Sequence, residues 1–566
     1  MACSPPNFND GRLMKKLTLA LYHRLMGPLS AAGLILGALF WAAALTPSLI
    51  PRDGLLQGAI GGLCFSAGYA LAVAFVALWA WLGLPLLPRL LMKPVRVLSA
   101  IAAIVIMMAA AFKGDAWQDE VRLALDMQPN GDSWPLVLLA VGLLLIVVLM
   151  LVGRSFAALR DFVGAPLRHV LPPRLAVLIA VVAASWVFWS IGNGFLLDAL
   201  LRGLDSSYRR VDALIPPEEA QPTDPVKAGS AASLVKWEDL GRQGRLRVLS
   251  LPTAAEITSI TGRDAKDPLQ IYVGLNSAET PQERADLALA ELKRTNAFSR
   301  KFLVIATPTG TGWVDPAAML PLEVLTAGDV ASVSVQYSYL PSWLTLFVDP
   351  IYGEETAEAV FDTVYGHWRS LPRDQRPRLF MFGLSLGSLN SDLATDAYAL
   401  LGDPFEGALW AGPPFASRTW NQVTTTREKG SPAWLPQART PAVFRFFNAG
   451  DRSELAAPGW GPVKIAYLQY PSDAITFFET DMWRREPDWM KAPRGAGVSP
   501  ALTWYPGITF IQLAFDMMTA TTVPKGRGHV YAARDYAAGW KALIQPEYFG
   551  DAEMQKLDQW MEGKGL

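Results

Sequence analysis

The residues best equipped for chemistry are a serine set between two glycines and the one histidine that follows it. Gly383-Leu384-Ser385-Leu386-Gly387 comes directly after the apolar run Arg378 to Phe382. A serine hydroxyl is a weak nucleophile until a base takes its proton, and a sharp turn with small neighbours is what exposes its oxygen without backbone clashes. The G-x-S-x-G spacing also arises by chance in a chain of this composition, so its weight must come from the surroundings. The chain has four histidines. His23 and His169 flank long apolar runs and His367 precedes the serine, which leaves His529, in "VPKGRGHVYAARD", as the expected base.

An acid is needed to orient that base. Asp473 follows the apolar run "KIAYLQYPS" and Asp451 follows "AVFRFFNAG". Asp473 is preferred, because its run is the better-formed strand and a turn into "ITFF" suits an acid aimed at His529; Asp451 stays the alternative. Acyl chemistry also needs donors for a tetrahedral oxyanion. The N–H of Leu386, next after the nucleophile, is one. The small-residue turn Thr309 to Gly312 in "VIATPTGTGWVDP" offers others, among them Gly310 and Thr311.

These residues need a scaffold of strands and helices. Short apolar, β-branched runs alternate with helical stretches: "LQIYVGL", "KFLVIATP", "VASVSVQY", "RLFMFG", "GALWAG", "AVFRFF" and "KIAYLQY" read as strands. In "TPQERADLALAELKRT", Thr280, Pro281 and Glu283 form a marked helix start with a capping box. Strands alternating with helices imply an α/β domain with a mostly parallel sheet over residues 236–566, its serine on a strand-to-helix turn.

The first 200 residues are of another kind. Five apolar stretches, beginning at Pro28, Gly58, Val97, Trp134 and Leu175, read as transmembrane helices of an all-α membrane domain. The third, ending at Phe112, is short but flanked by Arg96 and Lys113, whose stems snorkel to the interface. Lysine and arginine are dense before the first span and in the second and fourth loops between spans, and sparse in the other two. That alternation puts the N-terminus in the cytoplasm and, after five crossings, the α/β domain in the periplasm or outside, across the inner membrane. Residues 201–235, with the Pro- and charge-rich run from Ile215 to Ser233, read as an exposed linker. Cys3 and Cys64 both precede the α/β domain, so no disulfide is expected there, and a net charge of −1 gives no sign of nucleic acid.

Taken together, "TPSLIPR", "WEDLGRQGR", "TGTGWVDP", "QYSYLPSWL", "GLSLGS", "PSDAITFF" and "GRGHVY" resemble the bacterial membrane-anchored α/β-hydrolases of the ninth α/β-hydrolase grouping, which carry a membrane domain ahead of the catalytic one. The resemblance implies a Ser385, His529, Asp473 triad, with Gly310 and Thr311 in the oxyanion loop, and names no substrate. Leu384 stands where an acidic residue is frequent in that family, and Tyr470 and Ala474 where histidine and proline are frequent. The expected function is an esterase- or lipase-like serine hydrolase acting on a lipid or envelope ester, with the bilayer as partner and neither cofactor nor metal. The alternatives are an acyltransferase using the same triad, and a transport or signalling protein with a hydrolase-like binding domain.

Overall fold

The computed structural model describes residues 27–129, 134–216, 218–348, 353–395, 402–546 and 548–566. The chain divides into two compact units. One comprises the helices up to Leu123, Gln128–Arg202 and the short stretch Ala501–Gln512; the other comprises Ala124–Met127, Gly203–Pro500 and Leu513–Leu566.

In the helical unit, Gly54–Trp81, Arg89–Ala124, Trp134–Leu167 and Pro173–Gly194 are long and apolar enough to cross a membrane. At 1.5 Å per residue each exceeds the roughly 30 Å hydrocarbon core. The expected first span differs. Its helix, Ala31–Ala44, has 14 residues, about 21 Å, and then gives way to an irregular stretch whose residues 45–52 are all buried. Thr46 and Pro47 begin that stretch, and proline cannot continue the preceding helix. Its backbone and the buried Arg52 are satisfied by amide side chains. Gln57 donates to the Ala44 carbonyl at 2.8 Å, Arg52 N–H donates to Gln118 at 2.7 Å, and Gln512 donates to Ala44 and Thr46 carbonyls at 3.1 and 3.0 Å.

Glycine sets the closest helix contact in this unit. A Cβ on Gly54, Gly58 or Gly62 would come within 2.8, 2.7 and 2.8 Å of the carbonyls of Trp134, Leu138 and Gly142. Spaced four apart, these glycines form one stripe on Gly54–Trp81, and only hydrogen there lets two lipid-soluble backbones meet. Trp41 fills the space beside Gly142, in a core with Leu34, Phe65, Met107 and Leu138.

The second unit is built on seven parallel strands: β1 Leu269–Val273, β2 Phe302–Thr307, β3 Val330–Val335, β4 Arg378–Leu384, β5 Gly407–Ala411, β6 Phe444–Phe447 and β7 Lys464–Leu468. Each coincides with one of the seven expected runs. Their order is β1-β3-β2-β4-β5-β7-β6, so β4 is central and β7 lies between β5 and the edge strand β6. Helices Pro281–Arg294, Glu354–Ser370 and Leu386–Ala394 pack successively on one another, while Pro316–Leu325 packs with Ala533–Ile544. Right-handed crossovers place these two sets on opposite faces, because the first set carries the chain one way along the sheet and the β2–β3 crossover carries it back. The capping box forms: Thr280 accepts from Glu283 N–H, and Glu283 accepts from Thr280 N–H.

The expected linker is more ordered than its composition implied. Residues up to Ala213 belong to helix Asp198–Ala213, and the coil after it is tied down by Glu219 against Arg245, at 2.8 Å, and by Arg294 on the Pro225 carbonyl, at 2.6 Å. Ala228 and Val235 are buried. Those two buried side chains and the two anchoring contacts offset the flexibility that proline and charge suggest.

Candidate active site

Ser385 stands between the end of β4 and helix Leu386–Ala394 with φ 56° and ψ −129°. That conformation costs a side-chain-bearing residue about 1–3 kcal/mol and persists only where the surroundings overdetermine it. Here they do. Ser385 N–H donates to the Ala411 carbonyl at the end of β5 at 3.0 Å, while its own carbonyl accepts from Ser388 Oγ at 2.7 Å and Ser388 N–H at 2.9 Å. The two glycines are required by contact. A Cβ on Gly383 would lie 2.4 Å from the Gly387 carbonyl, and one on Gly387 would lie 2.3 Å from the Thr307 carbonyl at the end of β2.

His529 sits on the loop before Ala533–Ile544. Its N–H donates to Ala520 O and the neighbouring Gly528 N–H to Ser472 Oγ, both at 2.9 Å. Its Nδ1 is 2.7 Å from Asp473 Oδ2. A carboxylate accepts, so Nδ1 is the donor in this contact and Nε2 is the ring nitrogen directed away from Asp473. The imidazole rests on Gly412: a Cβ there would be 2.5 Å from Cε1 and 3.0 Å from Nδ1. Gly412 follows Ala411, the acceptor of the Ser385 N–H, so the ring spans from Asp473 toward the serine. Ser385 Oγ and His529 Nε2 are both buried without a hydrogen-bond partner among the described residues.

Asp473 is fully buried. Its Oδ1 accepts from Ile475 N–H at 2.9 Å, and its Oδ2 accepts from Tyr531 Oη at 2.6 Å and Thr476 Oγ1 at 3.1 Å as well as from the histidine. Asp451 is elsewhere. It is exposed, follows the edge strand β6, and accepts from Ser453 N–H at 2.9 Å at the start of a short helix. That hydrogen bonding holds its carboxyl below the usual range.

The loop after β2 is pinned toward β1 and β3. Tyr272 Oη donates to Gly312 O at 2.6 Å and Gln336 Nε2 to Thr311 O at 3.3 Å. The Gly310 N–H, one of the expected oxyanion donors, is engaged by Ser342 Oγ at 3.1 Å. Thr309 N–H bonds Trp313 O and Gly312 N–H bonds Thr309 O, so in this turn only the Thr311 amide has no acceptor among the described residues. Leu386 opens its helix, where N–H groups have no intrahelical acceptor.

Two residues in the quoted motifs carried no role in the sequence reading. Tyr531, two residues after His529, contacts Asp473 and stacks on Tyr470 at 4.5 Å. Asp315, in "TGTGWVDP", caps Pro316–Leu325 through Ala317 N–H at 2.9 Å. Burial pushes its carboxyl up to about 6, against the pull of Ala317 N–H, Tyr536 and the nearby His529. Its D-P dipeptide at a helix start was the legible signal; its closeness to the histidine was not.

The chain matches an alpha/beta-hydrolase family over residues 269–557 and that family's N-terminal region over residues 45–252. It belongs to this family, as a hydrolase-type protein with four apolar helices suited to a membrane. No curated protein and no solved structure matches it.

Proposed function

We propose that the protein is a membrane-anchored serine hydrolase that cleaves an ester through Ser385, His529 and Asp473. One observation carries the reading: a buried histidine holds Asp473 by Nδ1 at 2.7 Å while its Nε2 and the strained, buried Ser385 Oγ have no hydrogen-bond partner among the described residues. Unsatisfied buried polar atoms are costly, and a pair of them at the C-terminal ends of central strands is where this architecture binds substrate.

In this reading Ser385 Oγ attacks the ester carbonyl as His529 Nε2 takes its proton. The oxyanion is held by the Leu386 N–H and the Thr311 N–H, and the imidazolium is stabilised by Asp473. The intermediate collapses, His529 protonates the leaving alcohol, and water then cleaves the acyl-enzyme by the reverse proton path. A lipid or envelope ester is the substrate class that a membrane anchor favours.

The catalytic domain lies on the outer face in this proposal, which needs an odd number of crossings. Helix Ala31–Ala44 and the buried residues 45–52 together make the fifth; non-helical backbone is tolerated at membrane depth where protein buries it. The test is fluorophosphonate labelling of intact cells carrying wild type or Ser385→Ala. Labelling from outside that the substitution abolishes supports both nucleophile and side. Labelling only after lysis overturns the topology, and none on folded, solubilised protein overturns the enzyme.

A further inference from the structure

The helical unit contains a cavity of about 1880 Å³. It lies between the start of Ala31–Ala44, the last turns of Gly54–Trp81, the first turns of Arg89–Ala124 and the second half of Trp134–Leu167, with walls dominated by side chains such as Leu36, Phe75 and Met150. Pockets for small metabolites and drug-sized ligands run from about 300 to 1,000 Å³. This one is larger and its lining mainly apolar, which fits long hydrocarbon chains.

Its charge is one-sided. Arg96, Arg154 and Arg160 line it, and no carboxylate does so among the described residues. Arg160 is balanced by the adjacent Asp161 at 2.7 Å. Arg154 spends one of its five N–H donors on the Gly27 carbonyl, at 2.7 Å. Guanidinium groups beside an apolar groove are expensive without an anionic partner, and their forked donors match phosphate oxygens. Arg89 and Lys93 stand in the first turns of the Arg89–Ala124 helix, and Arg168 and Arg174 at the junction of the Trp134–Leu167 and Pro173–Ile191 helices. Such a basic end faces the leaflet where anionic lipids collect, and basic pockets between spans recognise their headgroups.

We infer that this groove is a binding site for an anionic glycerophospholipid, with its acyl chains along the apolar walls and its phosphate between Arg96 and Arg154. The site is independent of the hydrolase reading.

Native mass spectrometry of the full-length protein in detergent, titrated with phosphatidylglycerol or with phosphatidylcholine of the same chains, tests it. The expected result is retention of phosphatidylglycerol at a concentration at least tenfold lower than phosphatidylcholine. Glycerol phosphate should not compete, since the chains supply much of the binding. Arg96→Ala with Arg154→Ala should erase the preference, the two lysine substitutions should keep most of it, and Ala157→Trp, which fills the groove, should weaken both lipids. Equal retention of the two lipids by wild type, or an undiminished preference in the double alanine variant, would overturn the proposal. So would a chain that binds phospholipid only after residues 1–26 are removed, because the groove's occupant would then be its own segment.

Discussion

Substituting Gly412 by alanine places one methyl group under the imidazole of His529. The new Cβ would stand 2.5 Å from Cε1, whereas carbon atoms rest about 3.5–4.0 Å apart, so the ring must retreat by about 1 Å. It cannot retreat freely, because Nδ1 is held by Asp473 at 2.7 Å and the loop is fixed by the His529 and Gly528 amides. The ring therefore pivots about its Asp473 contact and carries Nε2 away from Ser385. A misplacement of about 1 Å in a reacting group costs on the order of 100-fold, or about 2.7 kcal/mol in the barrier. Gly412 also has φ +51°, and the left-handed region costs alanine about 1–2 kcal/mol of stability. The two effects separate with a control. Gly430 has φ +93° and nothing within 4 Å of its would-be Cβ, so Gly430→Ala pays the backbone cost without touching the site. Hydrolysis of a short p-nitrophenyl ester by the solubilised full-length protein, alongside the rate of fluorophosphonate labelling, should fall about 100-fold in Gly412→Ala and stay within twofold of wild type in Gly430→Ala. Both variants should melt lower. A Gly412→Ala enzyme within threefold of wild type would refute the placement of His529 as the base acting on Ser385.

Three other outcomes follow from the same geometry. Asp473→Ala should lower kcat by about 10³–10⁴-fold and Asp451→Ala by less than twofold, read with the same ester; the reverse ranking would move the acid to the edge strand. Asp315, whose carboxyl is raised to about 6 by burial, favours folding when protonated, so its contribution is fully present below its unfolded value near 4 and lost as pH rises through 6. Asp315→Asn keeps the helix cap, so its stability relative to wild type should rise between pH 5 and pH 8 by about 1 kcal/mol, since that window covers about one pH unit below 6 at 1.36 kcal/mol per unit, and its melting temperature relative to wild type should rise with it; a pH-independent difference would contradict this. Gly58→Val puts a Cβ 2.7 Å from the Leu138 carbonyl and should drive the two helices apart, lowering the melting temperature in detergent far more than Gly153→Val, whose Cβ would meet nothing within 4 Å.

Much of this protein is written in short-range sequence. Seven apolar runs became seven buried strands, because burial on both faces of a parallel sheet demands runs of that kind and turn residues end them. The serine between Gly383 and Gly387 reads as a strained turn for the reason the contacts bear out: any side chain at either glycine would strike backbone. The glycine stripe at 54, 58 and 62 carried no role in the sequence reading; the helix contact with Trp134, Leu138 and Gly142 is what gives it one. Helix ends in the first unit were less so. Hydropathy ran unbroken from Pro28 to Ile50, yet the helix stops at Ala44, since a hydropathy run does not distinguish helix from irregular backbone whose carbonyls are met by Gln57 and Gln512 from far along the chain.

What only tertiary structure decided is which strands are neighbours. Residue periodicity specifies that β6 and β7 exist, and chain order alone would set β6 beside β5. The sheet instead inserts β7 there and leaves β6 at the edge. With strands about 4.8 Å apart, that exchange brings Asp473 two strands from β4, within reach of His529, and leaves Asp451 three strands away in solvent. On the other side of the sheet, the pairing of β2 with β3 sets the Gly310 amide against Ser342, at the start of the helix after β3, a contact that neither segment announces. The sequence by itself determined the strands, the turn at Ser385 and the one histidine downstream of it, because these are local patterns. The partner of that histidine and the unengaged Thr311 amide depended on long-range pairing, where the energy belongs to contacts between segments and is not carried by either one alone.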